Sequence, residues 1–142
     1  MQIQSLTFGA IEIQDETIYT FPRGIPGLNK ITRYALVDVE DSGPYKWLQA
    51  CEPPYLSLTL LDPHVLVPDY QVVVGPEHRE ILQMQTGEMP IALCIVVIPK
   101  NPKDMTANLL APILLNPAKR IGAQAIVNGS PDWLRVRVLQ ET

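Results

Sequence analysis

The sequence predicts a mainly β domain: a small closed or nearly closed antiparallel β-barrel-like fold with one or two short helices. Three observations carry this reading. Short apolar runs rich in strand formers recur at spacings of roughly 8–12 residues, with turn signals between them. Proline is abundant, 14 of 142 residues, about twice the usual share of roughly 5%, and is spread along the chain as turn punctuation. Only one stretch carries a convincing helical signature.

The elements follow in order. Thr17–Phe21 and Tyr34–Val37 are rich in β-formers,. Trp47-Leu48-Gln49-Ala50 reads as a core-like strand. Leu56-Ser57-Leu58-Thr59-Leu60 alternates at period two and is a half-buried strand,. The valines after Tyr70 suggest a strand that turns into a helix. That helix is predicted over 77–85: Gly75-Pro76 suits its first turn, Glu77 and Glu80 favour the positive end, and Thr86-Gly87 stops it,. Ile91–Ile98 is apolar on both faces and ends at Pro99, as a central, fully covered strand would,. Leu109–Leu115 contains Pro112, which cannot donate to a ladder, so this strand lies on an edge or carries a bulge,. Ala123–Val127 is a short strand closed by Asn128-Gly129. A single helical turn is predicted at Ser130-Pro131. Arg135-Val136-Arg137-Val138 alternates, with both arginines on one face.

The 142 residues suit one domain, 1–142, with one core,. Hydrophobic residues make up 46%, enough for a packed interior,. Charged residues are 18%, below the usual ~25%, so an apolar docking patch is expected on the surface,. No basic and apolar export signal opens the chain, and no apolar run approaches the ~20 residues of a membrane span. Cys51 and Cys94 lie in apolar strand sequence and are expected to be buried free thiols in a reducing cytoplasm,.

Net charge is −4, unevenly spread: residues 1–90 hold 12 acids and 5 bases, and residues 91–142 hold 3 acids and 6 bases. The acidic majority argues against direct nucleic-acid binding, which needs a basic face. It suits a basic protein partner; ordinary solubility charge is the plainer reading.

The motifs of chemistry are missing. None of the eight glycines forms GxGxxG or a P-loop, and HExxH and CxxC do not occur,. Cys51, His64, His78 and Cys94 have no paired zinc-ligand spacing,. A thiol-hydrolase set of Cys51, His64 and a carboxylate such as Asp62 or Asp69 needs assembly in space, which spacing alone does not decide. His78 is expected on the exposed face of the short helix. No cofactor or metal is expected.

Several segments, in order over residues 21–127, resemble the FliW family. Phe21-Pro22-Arg23-Gly24-Ile25-Pro26-Gly27-Leu28 is similar to its Phe-x-x-Gly-Ile-Pro-Gly-Phe signature, with Leu28 where the family usually has Phe. Trp47-Leu48-Gln49, followed by Pro54-Tyr55-Leu56, resembles its Trp-Leu-Gln segment, with Ala50-Cys51 where small polar residues are common. Asp62-Pro63 with Pro68-Asp69-Tyr70 resembles the next connection. Thr106–Asn116 resembles the Thr-x-Asn-Leu-x-Ala-Pro stretch, and Gly122-Ala123-Gln124 the strand beyond it. The same positions make physical sense without the name. Gly24 and Gly27 suit turns with positive φ. Trp47 reads as a large core anchor. Asn108 and Asn116 bracket the proline-interrupted strand, where side-chain amides can satisfy unpaired backbone groups.

The resemblance implies a cytoplasmic regulator without enzymatic activity that binds flagellin and the RNA-binding translational repressor CsrA, one excluding the other. The expected CsrA surface is an acidic edge of Asp38, Glu40, Asp62, Asp69 and Glu77. Asp69 and Glu77 lead, because they flank a strand and its turn into the helix. Asp38, Glu40 and Asp41 alone read as a solvated turn before Ser42-Gly43-Pro44. Flagellin is expected in an apolar groove along Leu109–Leu115, with Leu110 as the test position; the plain alternative makes these leucines core. Two other readings stay open, a barrel holding a small ligand inside and the thiol hydrolase. Neither a direct nucleic-acid contact nor a membrane is expected.

Overall fold

The computed structural model describes residues 1–28, 30–41 and 43–139. An antiparallel hairpin opens the chain, β1 (Gln2–Ser5) with β2 (Gly9–Glu12). Seven strands then form the wall of a barrel: β3 (Ile18–Thr20), β4 (Arg33–Val37), β5 (Tyr45–Ala50), β6 (Ser57–Leu61), β7 (Ile91–Val97), β8 (Thr106–Asn116) and β9 (Ile121–Gln124). Neighbours pair in chain order and antiparallel, until β9 closes on β3 in parallel at Thr20 and Ile121. The barrel is therefore mixed at its seam. A last short strand, β10 (Val136–Arg137), adds to the first half of β8. One helix, α1 (Pro76–Leu82), packs on β9.

Alternation along the strands sends neighbouring residues to opposite sides of the wall. Leu60 and Leu93 join Phe21, Tyr34, Leu48, Ile113 and Leu115 in one buried cluster, the barrel interior. Phe21 meets Tyr34 edge to face, with centroids 5.2 Å apart,. Leu61 and Cys94, the sequence neighbours of Leu60 and Leu93, face outward under a second layer formed by Tyr70, Val72, Val74 and Leu82. The hairpin caps a third cluster, Ile3 and Ile13 on Ala35 and Cys51. Each fully buried aliphatic or aromatic side chain stabilises the fold by about 1.5–3 kcal/mol. Among the described residues the interior is occupied by the side chains of this cluster, as a barrel of this size allows,.

Pro112 acts as a bulge residue in the wall. Leu93 pairs with Ile113 and Ile95 with Asn108, so β8 advances five residues while β7 advances two. Pro112 has no N–H to offer, and the Leu110 and Ala111 N–H groups turn instead to Asn108 Oδ1, at 3.0 and 3.1 Å. The freed carbonyls of Leu110 and Pro112 accept from Val127 and Ala125. At the far end Asn116 Oδ1 accepts from Ala118 and Lys119, while its Nδ2 donates to Leu82 O at 2.7 Å. The two asparagines hold the interrupted strand as the sequence predicts. The strand is not an edge, however; β7 flanks it on one side and β9 and β10 on the other.

Other expectations are corrected. The helix ends at Leu82, not 85, because Gln83 takes the left-handed conformation (φ 56°) and its N–H bonds back to Arg79 and Glu80 carbonyls,. Along residues 71–74 burial alternates, with Val72 and Val74 buried and Val73 88% exposed, but no backbone pairing makes them a strand among the described residues. The β7 segment is covered on both faces only around Leu93–Val96; Ile91, Val97 and Ile98 are exposed. Ala123–Val127 is regular strand only to Gln124. Arg135 ends a 3₁₀ turn, Pro131–Arg135, and the strand after it is two residues long. Trp47 is half-buried, edge-on to Phe8 of the hairpin, rather than a core anchor. In the same motif Gln49 does the anchoring. It is fully buried, accepts from Ser5 Oγ at 2.7 Å, and its Nε2 lies within 3.2 Å of the Ala50, Tyr55 and Leu56 carbonyls. Gly24 and Gly27 do have positive φ, 64° and 86°.

Candidate functional site

The register decides which acids share a surface. Tyr45 pairs with Leu61, so the turn that carries Asp38 and Glu40 and the end of β6 that carries Asp62 lie at one rim of the barrel. Ser42, in the same turn, lies outside the described residues. Asp69 and Glu77 belong to the covering segment between β6 and β7, Glu77 on the first turn of α1. The five acids thus form a rim group and a cover group, and three are already partnered. Lys46 Nζ reaches Asp38 at 2.7 Å. Arg23 Nη1 lies 2.5 Å from Glu77 Oε1, and its hydrogen bond holds that carboxyl below the usual range. Asp62 accepts from the His64 N–H at 2.9 Å and from its Nδ1 at 2.7 Å. Glu40 and Asp69 are exposed and have no ion pair among the described residues.

The Asp62–His64 contact fixes a local turn rather than a reaction centre. Asp62 is the N-cap of the 3₁₀ turn Pro63–Val65,. Its carboxylate holds the imidazole pKa above the ordinary value, by hydrogen bond first and charge second. Partial desolvation pushes the Asp62 pKa up, yet the hydrogen bonds from His64 bring it below its ordinary value. Removing the carboxylate in Asp62→Asn is expected to shift His64 titration down towards about 6.5, followed by NMR of the imidazole protons. His64 in turn meets Tyr70 edge-on, 6.1 Å between centroids.

Cys51 offers no nucleophile. It is buried against the hairpin with Sγ toward Gln49 O at 3.7 Å. Burial first pushes its thiol pKa up, which opposes thiolate formation,. It follows the end of β5, whereas His64 follows the end of β6, the opposite rim of two antiparallel strands. Cys94 is buried too, donates to Leu61 O at 3.1 Å, and its pKa is pushed up to about 12. Among the described residues no cluster of His, Cys, Asp or Glu could hold a metal. His78 is half-buried on α1.

Leu110 is half-buried within the bulge, while Leu109, Ile113, Leu114 and Leu115 are wholly buried. The structure offers shallow clefts instead. One, of about 470 Å³, is lined by Val97, Pro99, Thr106, Asn108, Leu134 and Arg135. Sequence reasoning missed it because its walls come from three separated segments; the alternating arginines of 135–137 were the only signal.

A barrel with a filled interior, buried thiols and its open clefts on the outside defines a surface-presenting module. The comparisons say which. The FliW protein family model matches residues 2–138, and the chain belongs to that family. It is 32% identical over 142 residues to the flagellar assembly factor FliW of Caldanaerobacter subterraneus subsp. tengcongensis, covering 99% of this chain and 95% of the relative. It is 36% identical over 134 residues to that of Thermotoga maritima, covering 94% and 90%. A crystal structure of a flagellar assembly factor FliW superposes with a TM-score of 0.87 at 30% identity, covering 99% of both chains. None of the described helices is long and apolar enough to cross a membrane.

Proposed function

We propose that this protein is a cytoplasmic flagellar assembly factor without catalytic activity, which binds flagellin and, when flagellin is exported, captures the translational repressor CsrA and relieves repression of flagellin synthesis. The observation that carries this is the family match over nearly the whole chain. The filled barrel and the raised thiol pKa values agree with a protein that works by contact. CsrA, as an RNA-binding protein, must carry basic surface. It meets the exposed acids of the rim and of the cover, Glu40 and Asp69 first, with Asp38, Asp62 and Glu77 in the same two groups. Flagellin takes apolar surface next to Leu110.

Opposite fields speed encounter more than they add affinity. The test is association kinetics with purified CsrA. Asp69→Lys together with Glu77→Lys is expected to lower the on-rate about tenfold at low salt, with the difference closing as salt rises. The Glu77 change adds its own local effect, since the new lysine faces Arg23. An unchanged on-rate removes the acidic side from the interface. Failure of flagellin to displace bound CsrA removes the exchange itself.

A further inference from the structure

The cleft at Val97 and Arg135 lies at a mouth of the barrel. Val97 pairs with Thr106 and Ile95 with Asn108. Directly opposed residues share a face, and Ile95 packs against the interior cluster. Val97, Thr106 and Asn108 therefore stand above the filled core, at the rim where β7 ends and β8 begins. The 3₁₀ turn Pro131–Arg135 brings Leu134 and Arg135 in as the other wall. Val97 is 59% and Leu134 51% exposed, and Ile98 beside them is exposed as well. These aliphatic side chains stand on both walls of one concave site and give it apolar surface for a partner's side chain to cover.

The charge around this mouth opposes that of the rest of the chain. Segments 97–106 and 131–139 carry Lys100, Lys103, Arg135 and Arg137 against Asp104 and Asp132, in a protein of net charge −4. Asp104 is engaged by Arg137 at 3.6 Å. Arg135 is exposed, lines the cleft, and has no ion pair among the described residues. A planar guanidinium beside an aliphatic wall matches a carboxylate carried next to a large apolar side chain.

We propose that this mouth is a docking site for an acidic, apolar peptide segment of a partner protein, which sets its aliphatic side chains between Val97 and Leu134 and a carboxylate on Arg135. Nucleic acid is the less fitting occupant. The walls are aliphatic, whereas unpaired bases stack on aromatic faces. The site is separate from the acidic rim: the turn after β4 and the end of β6 lie at the opposite end of the strands from Val97. This inference rests on the proposed function only in taking the occupant to be protein, and its test uses neither CsrA nor flagellin.

The probe is a synthetic fluorescent peptide with leucines at alternate positions between glutamates. Its counterpart has lysine for every glutamate, and a single-stranded RNA completes the set; binding to the full chain is read by anisotropy. The acidic peptide is expected to bind saturably and the lysine peptide not. Arg135→Glu is expected to weaken binding about tenfold or more, as loss of a central arginine does. Val97→Lys, at an exposed position, does the same, while Lys119→Glu, in the turn beyond β8, leaves binding unchanged. Thermal melting checks that each variant is folded. Equal weakening by Lys119→Glu shows diffuse attraction and overturns the proposal. So does absence of binding by the acidic peptide, preference for the RNA, or a wild-type dimer in light scattering that Arg135→Glu dissociates, which makes a second copy the occupant.

Discussion

Gly122→Ala is expected to destabilise the protein by about 2–3 kcal/mol, a fall of roughly 10 °C in melting temperature for a chain of this size. Gly122 sits in β9 facing the barrel interior. A Cβ built there runs into Phe21 Cζ and comes within 2.7 and 2.8 Å of its Cε1 and Cε2. Real Cβ atoms do not approach so closely, so the Phe21 ring must move. It has little room: Phe21 is fully buried and stacked edge-on against Tyr34, itself fully buried. The strand Gly122 belongs to is also the seam, pairing with β8 on one side and in parallel with β3 on the other. Backing β9 away from Phe21 would open the closing pair at Thr20 and Ile121. Phe21→Leu creates the space the methyl needs, so the double variant is expected to lose less than the sum of the singles. A Gly122→Ala protein that melts like the parent would show that the ring is not locked.

Asn116→Ala is expected to cost about 2–3 kcal/mol as well, by a different route. The side chain is buried and serves three backbone groups: it donates to Leu82 O and accepts from the N–H groups of Ala118 and Lys119. Truncation leaves the last buried carbonyl of α1 and the turn after β8 without partners. The helix is only seven residues long and cannot stand alone,. Its docking rests on Leu82 and Ile81 in the outer cluster, on the Arg23–Glu77 pair and on this amide. Amide hydrogen exchange in 76–84 is therefore expected to accelerate in Asn116→Ala well before the barrel strands respond. Asn116→Asp separates the two halves of the role. It keeps the acceptor for the turn but sets a carboxylate oxygen against Leu82 O, and is expected to loosen the helix at least as much. Unchanged exchange in the helix for both variants would assign the stability loss to the turn alone.

The two asparagines also mark how far local chemistry reaches. Pro112 in a run of apolar residues said that a ladder must break, and Asn108 and Asn116 said what would repair it, because a proline lacks a donor whatever surrounds it. The same holds for the filled barrel, the buried thiols and the positive-φ glycines, each dictated by residue type and period. Lys46, Arg23 and His64 show the limit. They engage Asp38, Glu77 and Asp62 across 8, 54 and 2 residues of chain, and only the nearest of these partnerships was open to inspection in the sequence. Whether an acid is free to meet a partner depends on such pairings, since Coulomb attraction falls with distance in space and takes no account of chain separation.

Composition and motif therefore determined a mainly β barrel of one family. Tertiary structure alone decided that β8 is an interior strand, that its leucines are mostly core, and that Glu40 and Asp69, of the five candidate acids, have no ion pair among the described residues. It also brought Val97, Asn108 and Arg135 to one mouth of the barrel. The physical reason is closure: β9 and β10 pair with the free side of β8, so of the edge or bulge that Pro112 allowed, the bulge is what forms. The register between strands then sets which distant side chains share a rim.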